Sequence, residues 1–225
     1  THELAGGLLD PNDGDIDPAQ LTQALAKGAR DLGTKILRFC PAIGIDRKNN
    51  EWIVQTAKGD IRAEYVVNAG GYYAQHIGEW FKPFGGRTVP MMVMSHQYLL
   101  TDEIPELKNW TEESGHKLPL LRDVDSSYYL RQEKNGLNLG PYERNCKAHW
   151  DKSDDPMPED FSFQLYPDDL ERLEWHIEDA MARVPILGKA GISKVINGPI
   201  PYTPDGNPLI GPMPGVPNAF EACVF

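Results

Sequence analysis

The sequence predicts a mixed α/β (α+β) fold from three features. They are a well-signalled amphipathic helix near the start, a series of short extended runs parted by turn formers, and a strand, glycine turn and helix in close succession from Glu64 to Trp80. The rest of the chain is arranged around that last stretch. Tyr65, Val66 and Val67 form an apolar β-type run, Asn68-Ala69-Gly70-Gly71 has almost no side-chain bulk, and Ala74, Ile77 and Trp80 or Phe81 recur at helical spacing. In an open α/β sheet such a turn lies at the carboxyl end of a strand, where small residues let a flat or phosphorylated ligand approach the backbone. On these residues alone, an ordinary strand-to-helix connection and a ligand turn weigh equally.

In chain order, the turn formers Asp10-Pro11-Asn12-Asp13-Gly14 lead to a helix start: Asp17 at the N-cap, Pro18 at the first helical position and Gln20 where a capping box wants it. Leu21, Ala24, Leu25, Ala29 and Leu32 make one apolar stripe, which predicts packing on a sheet, and Gly33 ends the helix. Extended runs follow at 36–39, 42–46, 52–56 and 61–67, with Lys48-Asn49-Asn50 and Lys58-Gly59-Asp60 as hairpin turns. Pro83, Gly85, Gly86 and Pro90 mark a composition break that predicts a crossing into a second domain.

There, 89–101 reads as a strand whose period of two places Met94, His96, Tyr98 and Leu100 on one face. The polar stretch 101–117 reads as a surface excursion. Strands at 127–133 and 137–142 pair across Lys134-Asn135-Gly136, with Ser127, Tyr129, Arg131 and Glu133 on a shared face and Tyr128 on the other. An irregular segment at 146–163, a helix from Pro167 to Pro185, a strand at 192–196, a turn-rich loop at 198–208 and a closing strand at 219–225 complete the chain.

At 225 residues and 40% hydrophobic content, the chain can bury a sizeable core as one large domain or two small ones. The net charge of -11 argues against nucleic acid and against an anionic membrane surface, and is compatible with a cationic amine. Cys40, Cys146 and Cys223 are odd in number and lack metal-type spacing, which predicts a reducing compartment, taken as cytoplasmic, and no disulfide framework. His76, His116, His149 and His176 have no partners at metal-ligand spacing, so no metal is expected. The start without Met and the closing strand predict a piece of a longer protein.

Five segments, in register along nearly the whole chain, carry a resemblance: Gly6 to Gly14, Val67-Asn68-Ala69-Gly70-Gly71, His96-Gln97-Tyr98, Leu118 to Arg122 with Ser127 to Arg131, and Tyr202 to Gly211. They resemble the FAD-dependent amine oxidoreductases of the D-amino-acid-oxidase superfamily, of the dimethylglycine and sarcosine dehydrogenase type. The resemblance implies a partial FAD-binding, Rossmann-like domain over residues 1–88, an antiparallel-sheet substrate domain over 89–197, and a return into the FAD domain over 198–225. It implies cofactor contacts at Ala42, Ala69, Gly70, Gly71, Tyr73 and Phe225. Tyr73 stands where relatives have Trp, and Gly70 where they more often have Ala.

The resemblance also implies oxidative demethylation of an N-methyl amine, with His96 and Tyr129 catalytic and Tyr98 and Arg131 on the substrate side. By residue type alone, a lone His in an apolar strand is more often a core or surface residue, two packing tyrosines compete with an active-site reading, and Arg131 serves a substrate carboxylate or a structural salt bridge. FAD would take a hydride equivalent from the methyl carbon while the protein orients the amine and manages its proton. The family often adds a tetrahydrofolate-binding domain, and the electron acceptor is left open. No Gly-x-Gly-x-x-Gly follows a strand here, so these 225 residues alone are expected to bind FAD weakly or not at all.

Overall fold

The structure is a computed structural model that describes residues 4–151, 156–158 and 160–225. Its elements begin with helix α1 (Pro18–Asp31), strands β1 (Ala42–Lys48), β2 (Glu51–Thr56), β3 (Ile61–Ala63) and β4 (Val66–Asn68), and helix α2 (Ala74–Glu79). They continue with β5 (Met92–Thr101), α3 (Pro105–Ser114), β6 (Leu121–Asp123), β7 (Tyr128–Glu133), β8 (Gly136–Pro141) and β9 (Ala148–His149). Helix α4 (Glu174–Arg183) and strands β10 (Ile192–Tyr202), β11 (Leu209–Pro212) and β12 (Ala219–Cys223) close the chain. No described helix is long and apolar enough to cross a membrane.

The chain divides into two compact units. One takes the residues up to Leu21, then Ser95–Lys147 and the segment ending at Gly198; the other takes Thr22–Met94, Ala148–Pro158 and Pro199–Phe225. The break after Met94 falls inside β5, later than the composition break at Pro83 to Pro90.

The first unit is built on the strand order β10-β5-β8-β7-β6. Along β5 and β7 burial alternates residue by residue, so Leu99, Tyr128 and Leu130 face a core. Leu99 and Leu130 both stand opposite Leu139 of β8, and this row is joined by Leu107 of α3, Leu173, Ala180 of α4 and Leu187. Gln132 also points inward and is satisfied: Nε2 donates to Thr111 Oγ1 (2.7 Å) and Oε1 accepts the Leu118 N–H (2.9 Å).

Two expectations for this unit are corrected. The stretch 101–117 holds α3, with Pro105 at its first turn, Ile104 and Leu107 buried, and Gly115 closing it at φ 70°. Ile104, Leu107 and Thr111 at spacings of three and four carried that signal. Leu107→Ala is expected to cost roughly 2–5 kcal/mol through the cavity it leaves, measurable by denaturant unfolding. Second, the strand at 192–196 runs on to Tyr202, which takes Pro199 and Pro201 into β10. β10 is an edge strand, where a missing N–H breaks no ladder.

In the second unit, β1, β2 and β3 form an antiparallel meander. Asn49 and Asn50 turn its first hairpin with φ of 54° and 66°, the left-handed pair that a tight two-residue loop requires. A second sheet has the order β11-β12-β4, with β12 parallel to β4 and antiparallel to β11. Trp52 is fully buried, with Phe81 and Phe84 edge-on at 5.4 and 5.2 Å. Residues 36–39 form no strand; Phe39 has φ 54° and is 81% exposed. The segment 146–163 is irregular over most of its described residues but contributes β9, which pairs with Val93 and Met94 of β5; part of it lies outside the described residues.

The apolar stripe of α1 is a further correction. No residue of the helix is buried, and Leu25 and Leu32 are 65% and 90% exposed. The periodicity predicts the helix correctly, but its apolar stripe packs on no sheet among the described residues.

Glu221 on β12 is buried, and its Oε1 has no hydrogen-bond partner among the described residues. Burial pushes its carboxyl above the usual range, with Arg87 only partly opposing. The folded state therefore holds this proton to a higher pH than the unfolded chain. Stability falls as pH rises from the unfolded carboxyl pKa through the folded one, and stays reduced above it. Glu221→Gln is expected to raise the thermal midpoint at neutral pH and to leave it little changed in acid, as read by calorimetry across pH.

Candidate active site

The outward face of the first unit's sheet gathers the residues singled out there. His96 and Tyr98 on β5, and Tyr129 and Arg131 on β7, all occupy the half-buried positions of the alternation, on the face away from the leucine core. β8 lies between the two strands, so their backbones are roughly 10 Å apart. The Tyr129 side chain crosses that gap because of one residue. Gly140 stands opposite Tyr129, and a Cβ at Gly140 would overlap the Tyr129 Cζ, Cε1 and hydroxyl oxygen. The ring thus lies over the bare backbone of β8. The Tyr142 ring meets it edge-on, with centroids 6.1 Å apart. Burial holds the Tyr129 phenol above its ordinary pKa; Arg131 opposes this, and Tyr142 and Tyr98 add to it.

His96 has a carboxylate beside it. Its Nδ1 lies 3.4 Å from Glu143 Oε1, close enough for an ion pair but without hydrogen-bond alignment, and the two side chains are 16% and 2% exposed. Glu143 spans both faces of β5. Oε1, near the outward His96, accepts the Gln97 backbone N–H (2.7 Å), and Oε2 accepts Nε2 of the inward Gln97 (3.3 Å). Arg172 Nε stands 3.3 Å from both Glu143 Oε2 and Asp169 Oδ2, and its Nη1 donates to Ser95 Oγ (2.9 Å). Lys147 Nζ pairs with Asp169 at 2.6 Å.

The charges decide the protonation state. Burial alone would depress the imidazole, but Cys146 and Glu143 outweigh it and raise the His96 pKa to about 9. Burial likewise opposes the Glu143 carboxylate, yet His96, Gln97 and Arg172 keep its pKa below the ordinary value. At neutral pH the pair is an imidazolium and a carboxylate.

The donors of His96, Glu143 and Cys146 lie within 4.8 Å of one another, a grouping that sequence spacing could not reveal because 47 positions separate His96 from Glu143. Both Glu143 oxygens are already engaged by Gln97 and Arg172, so the group is a charge-compensated network.

A cavity of about 680 Å³ opens on the same unit, lined by Tyr98, Leu100, Arg131 and Asn138 together with Asp17 and Glu133. His96 and Tyr129 are not in its lining. Arg131 is held by Asp15 (3.1 Å) and Glu133 (3.2 Å). It is thus a salt-bridged residue, and a substrate carboxylate would have to compete with two side-chain carboxylates for it.

In the second unit, the central stretch is strand, turn and helix, as expected. Asn68 braces the turn: Oδ1 accepts the Gly70 N–H (3.2 Å) and Nδ2 donates to the Ala74 carbonyl (2.8 Å). Gly71 has φ 57°, and a Cβ there would meet nothing within 4 Å, so the turn is open to an approaching ligand. Gly70 is different, because a Cβ there would overlap Ile77 Cδ1. Tyr73 packs on Tyr72, with centroids 4.9 Å apart, and its hydroxyl donates to the Pro158 carbonyl (3.4 Å). Ala69 belongs to this turn; Ala42 opens β1, and Phe225 follows β12 and is 78% exposed.

A model of the family described as FAD dependent oxidoreductase matches residues 1–225. The chain belongs to this family. It is 41% identical over 227 residues to the mitochondrial dimethylglycine dehydrogenase of Mus musculus, covering 100% of this chain and 25% of that protein. It is 34% identical to the mitochondrial sarcosine dehydrogenase of Homo sapiens, covering 99% of this chain and 23% of that one. The chain thus spans about a quarter of the length of these curated relatives. Among solved structures, L-proline dehydrogenase from P. horikoshii aligns with a TM-score of 0.75 at 26% identity, over 96% of this chain and 52% of that one.

Family membership implies FAD, and the fit is local. The Gly71 turn, at the carboxyl end of a strand paired with a parallel neighbour, offers exposed backbone of the kind a cofactor edge needs. Sequence reasoning did not single out Glu143, Arg172, Tyr142 or Gly140. Gly140 carried a readable signal, since a glycine inside a strand marks a close approach; Glu143, just past β8, carried none.

Proposed function

We propose that this chain is the substrate-side portion of an FAD-dependent oxidoreductase that oxidatively demethylates an N-methyl amine such as dimethylglycine or sarcosine. The observation that carries the reading is the placement of His96 and Tyr129 on one sheet face, with a buried carboxylate behind the imidazole. The likeness to the two N-methylglycine dehydrogenases supports this substrate class. FAD, when bound, accepts the hydride equivalent from the methyl carbon; Ala69, Gly70 and Gly71 would hold part of it, with Ala42, Tyr73 and Phe225 as further contacts.

The chain's own task is to ready the amine. Alkylammonium ions are poor hydride donors because the proton occupies the lone pair that must stabilise the developing iminium. An imidazolium at His96 makes a neighbouring ammonium the costlier form, so the bound amine releases its proton to water. With its pKa raised to about 9, His96 acts here as a cation beside the amine rather than as acceptor or relay of its proton. The Tyr129 phenol, kept protonated by burial, orients the bound substrate by a hydrogen bond.

The test is turnover by the full-length gene product carrying FAD. Formaldehyde release from dimethylglycine or sarcosine supports the reading. Turnover only of amino acids without an N-methyl group, or of hydroxy acids, contradicts it.

A further inference from the structure

We propose that Glu143 is the positioning residue of this site, orienting the His96 imidazole through a carboxylate that Gln97 and Arg172 hold in place across both faces of β5. The inference deepens the functional reading and rests on it for its consequence in catalysis, though not for its geometry.

Glu143 is 2% exposed at the side chain and is ionised, so its charge needs partners. Three come from the protein: the Gln97 backbone N–H, the Gln97 amide and the Arg172 guanidinium. Gln97 is locked in turn, because Nε2 also donates to the Asp169 carbonyl (3.0 Å) and Oε1 accepts the Asp169 N–H (2.8 Å). These contacts engage both oxygens, and Oε1 also lies 3.4 Å from His96 Nδ1. The imidazole is therefore turned with Nδ1 toward Glu143, which leaves Nε2 as the nitrogen Glu143 does not face. A carboxylate behind one ring nitrogen orients the ring and stabilises its cation.

The charged and titratable groups around His96 are Glu143 and Cys146 beside it, and Arg172, Asp169 and Lys147 reached through Glu143. Lys147 and Arg172 both contact Asp169, and Arg172 lies on the Glu143 oxygen remote from His96. Of the two groups that stabilise the His96 cation, Cys146 and Glu143, Glu143 is the one whose buried carboxylate is held in place by partners of its own.

The experiment is an NMR titration of the His96 ring, using histidine labelled in the imidazole, in the full-length flavoprotein and its Glu143→Gln and Glu143→Asp variants. The pH profile of flavin reduction by dimethylglycine is measured alongside. In Glu143→Gln the His96 midpoint is expected to fall by about one pH unit, because burial is then opposed by Cys146 alone. The alkaline limb of the reduction profile is expected to move with it, and Glu143→Asp to lower the midpoint by a smaller amount. An unchanged His96 midpoint in folded Glu143→Gln overturns the inference. If that variant does not fold, Glu143→Asp decides: a lowered midpoint supports the coupling and an identical one overturns it. A wild-type protein whose flavin no N-methyl amine reduces would refute the functional reading, while the titration still judges Glu143.

Discussion

Replacing His96 with alanine in the full-length, FAD-loaded protein is expected to slow flavin reduction by an N-methyl amine by roughly 10²-fold or more near neutral pH. The reasoning is electrostatic. His96 is 16% exposed and cationic, with Glu143 behind it and an outward-facing ring. Removing it takes away the charge that disfavours the substrate's ammonium form and leaves the Glu143 carboxylate, which favours that form. The loss should therefore shrink as pH rises and bulk deprotonation supplies the free amine. Stopped-flow reduction across pH checks both parts. A uniform loss at every pH would point to a packing role for the ring, and no loss would remove the assignment.

Gly140→Ala is expected to be nearly as damaging as removing the Tyr129 hydroxyl, although Gly140 carries no functional group. The added methyl would fall on the Tyr129 ring, the flexible partner, so the ring must leave its place over β8. Overpacking of this kind typically costs about 1–3 kcal/mol of stability, so the protein should still fold. A rate loss of about tenfold or greater is expected for Gly140→Ala and for Tyr129→Phe. Because both act through one hydroxyl, the double variant should be little worse than either single one. Additive losses would show that Gly140 acts elsewhere.

Much of this arrangement was legible in the residues because strands impose a period of two. That period alone put His96 and Tyr98 on one face of β5, and Tyr129 and Arg131 on one face of β7, and burial alternates accordingly. The Glu64 to Trp80 stretch was readable because its strand, glycine turn and helix each carry local chemistry, down to the positive φ at Gly71. What the sequence concealed depends on contacts between distant positions. Glu143 follows β8 with no periodic neighbour, and only the fold brings it to His96 and Arg172. Helix α3 was hidden by polar composition, since a surface helix needs only a few inward residues. β10 was cut short at Ile196 because prolines forbid a central strand but not an edge one. Arg131 was left between a substrate carboxylate and a salt bridge, and Asp15, 116 positions away, engages it in the structure.

The most direct test of the central claim is a crystal structure of the full-length protein with a non-reacting N-methylated analogue of dimethylglycine bound. The account predicts the analogue within hydrogen-bond reach of the Tyr129 hydroxyl, with its nitrogen beside the His96 ring. An analogue bound elsewhere, with His96 and Tyr129 contacting only protein, would contradict it.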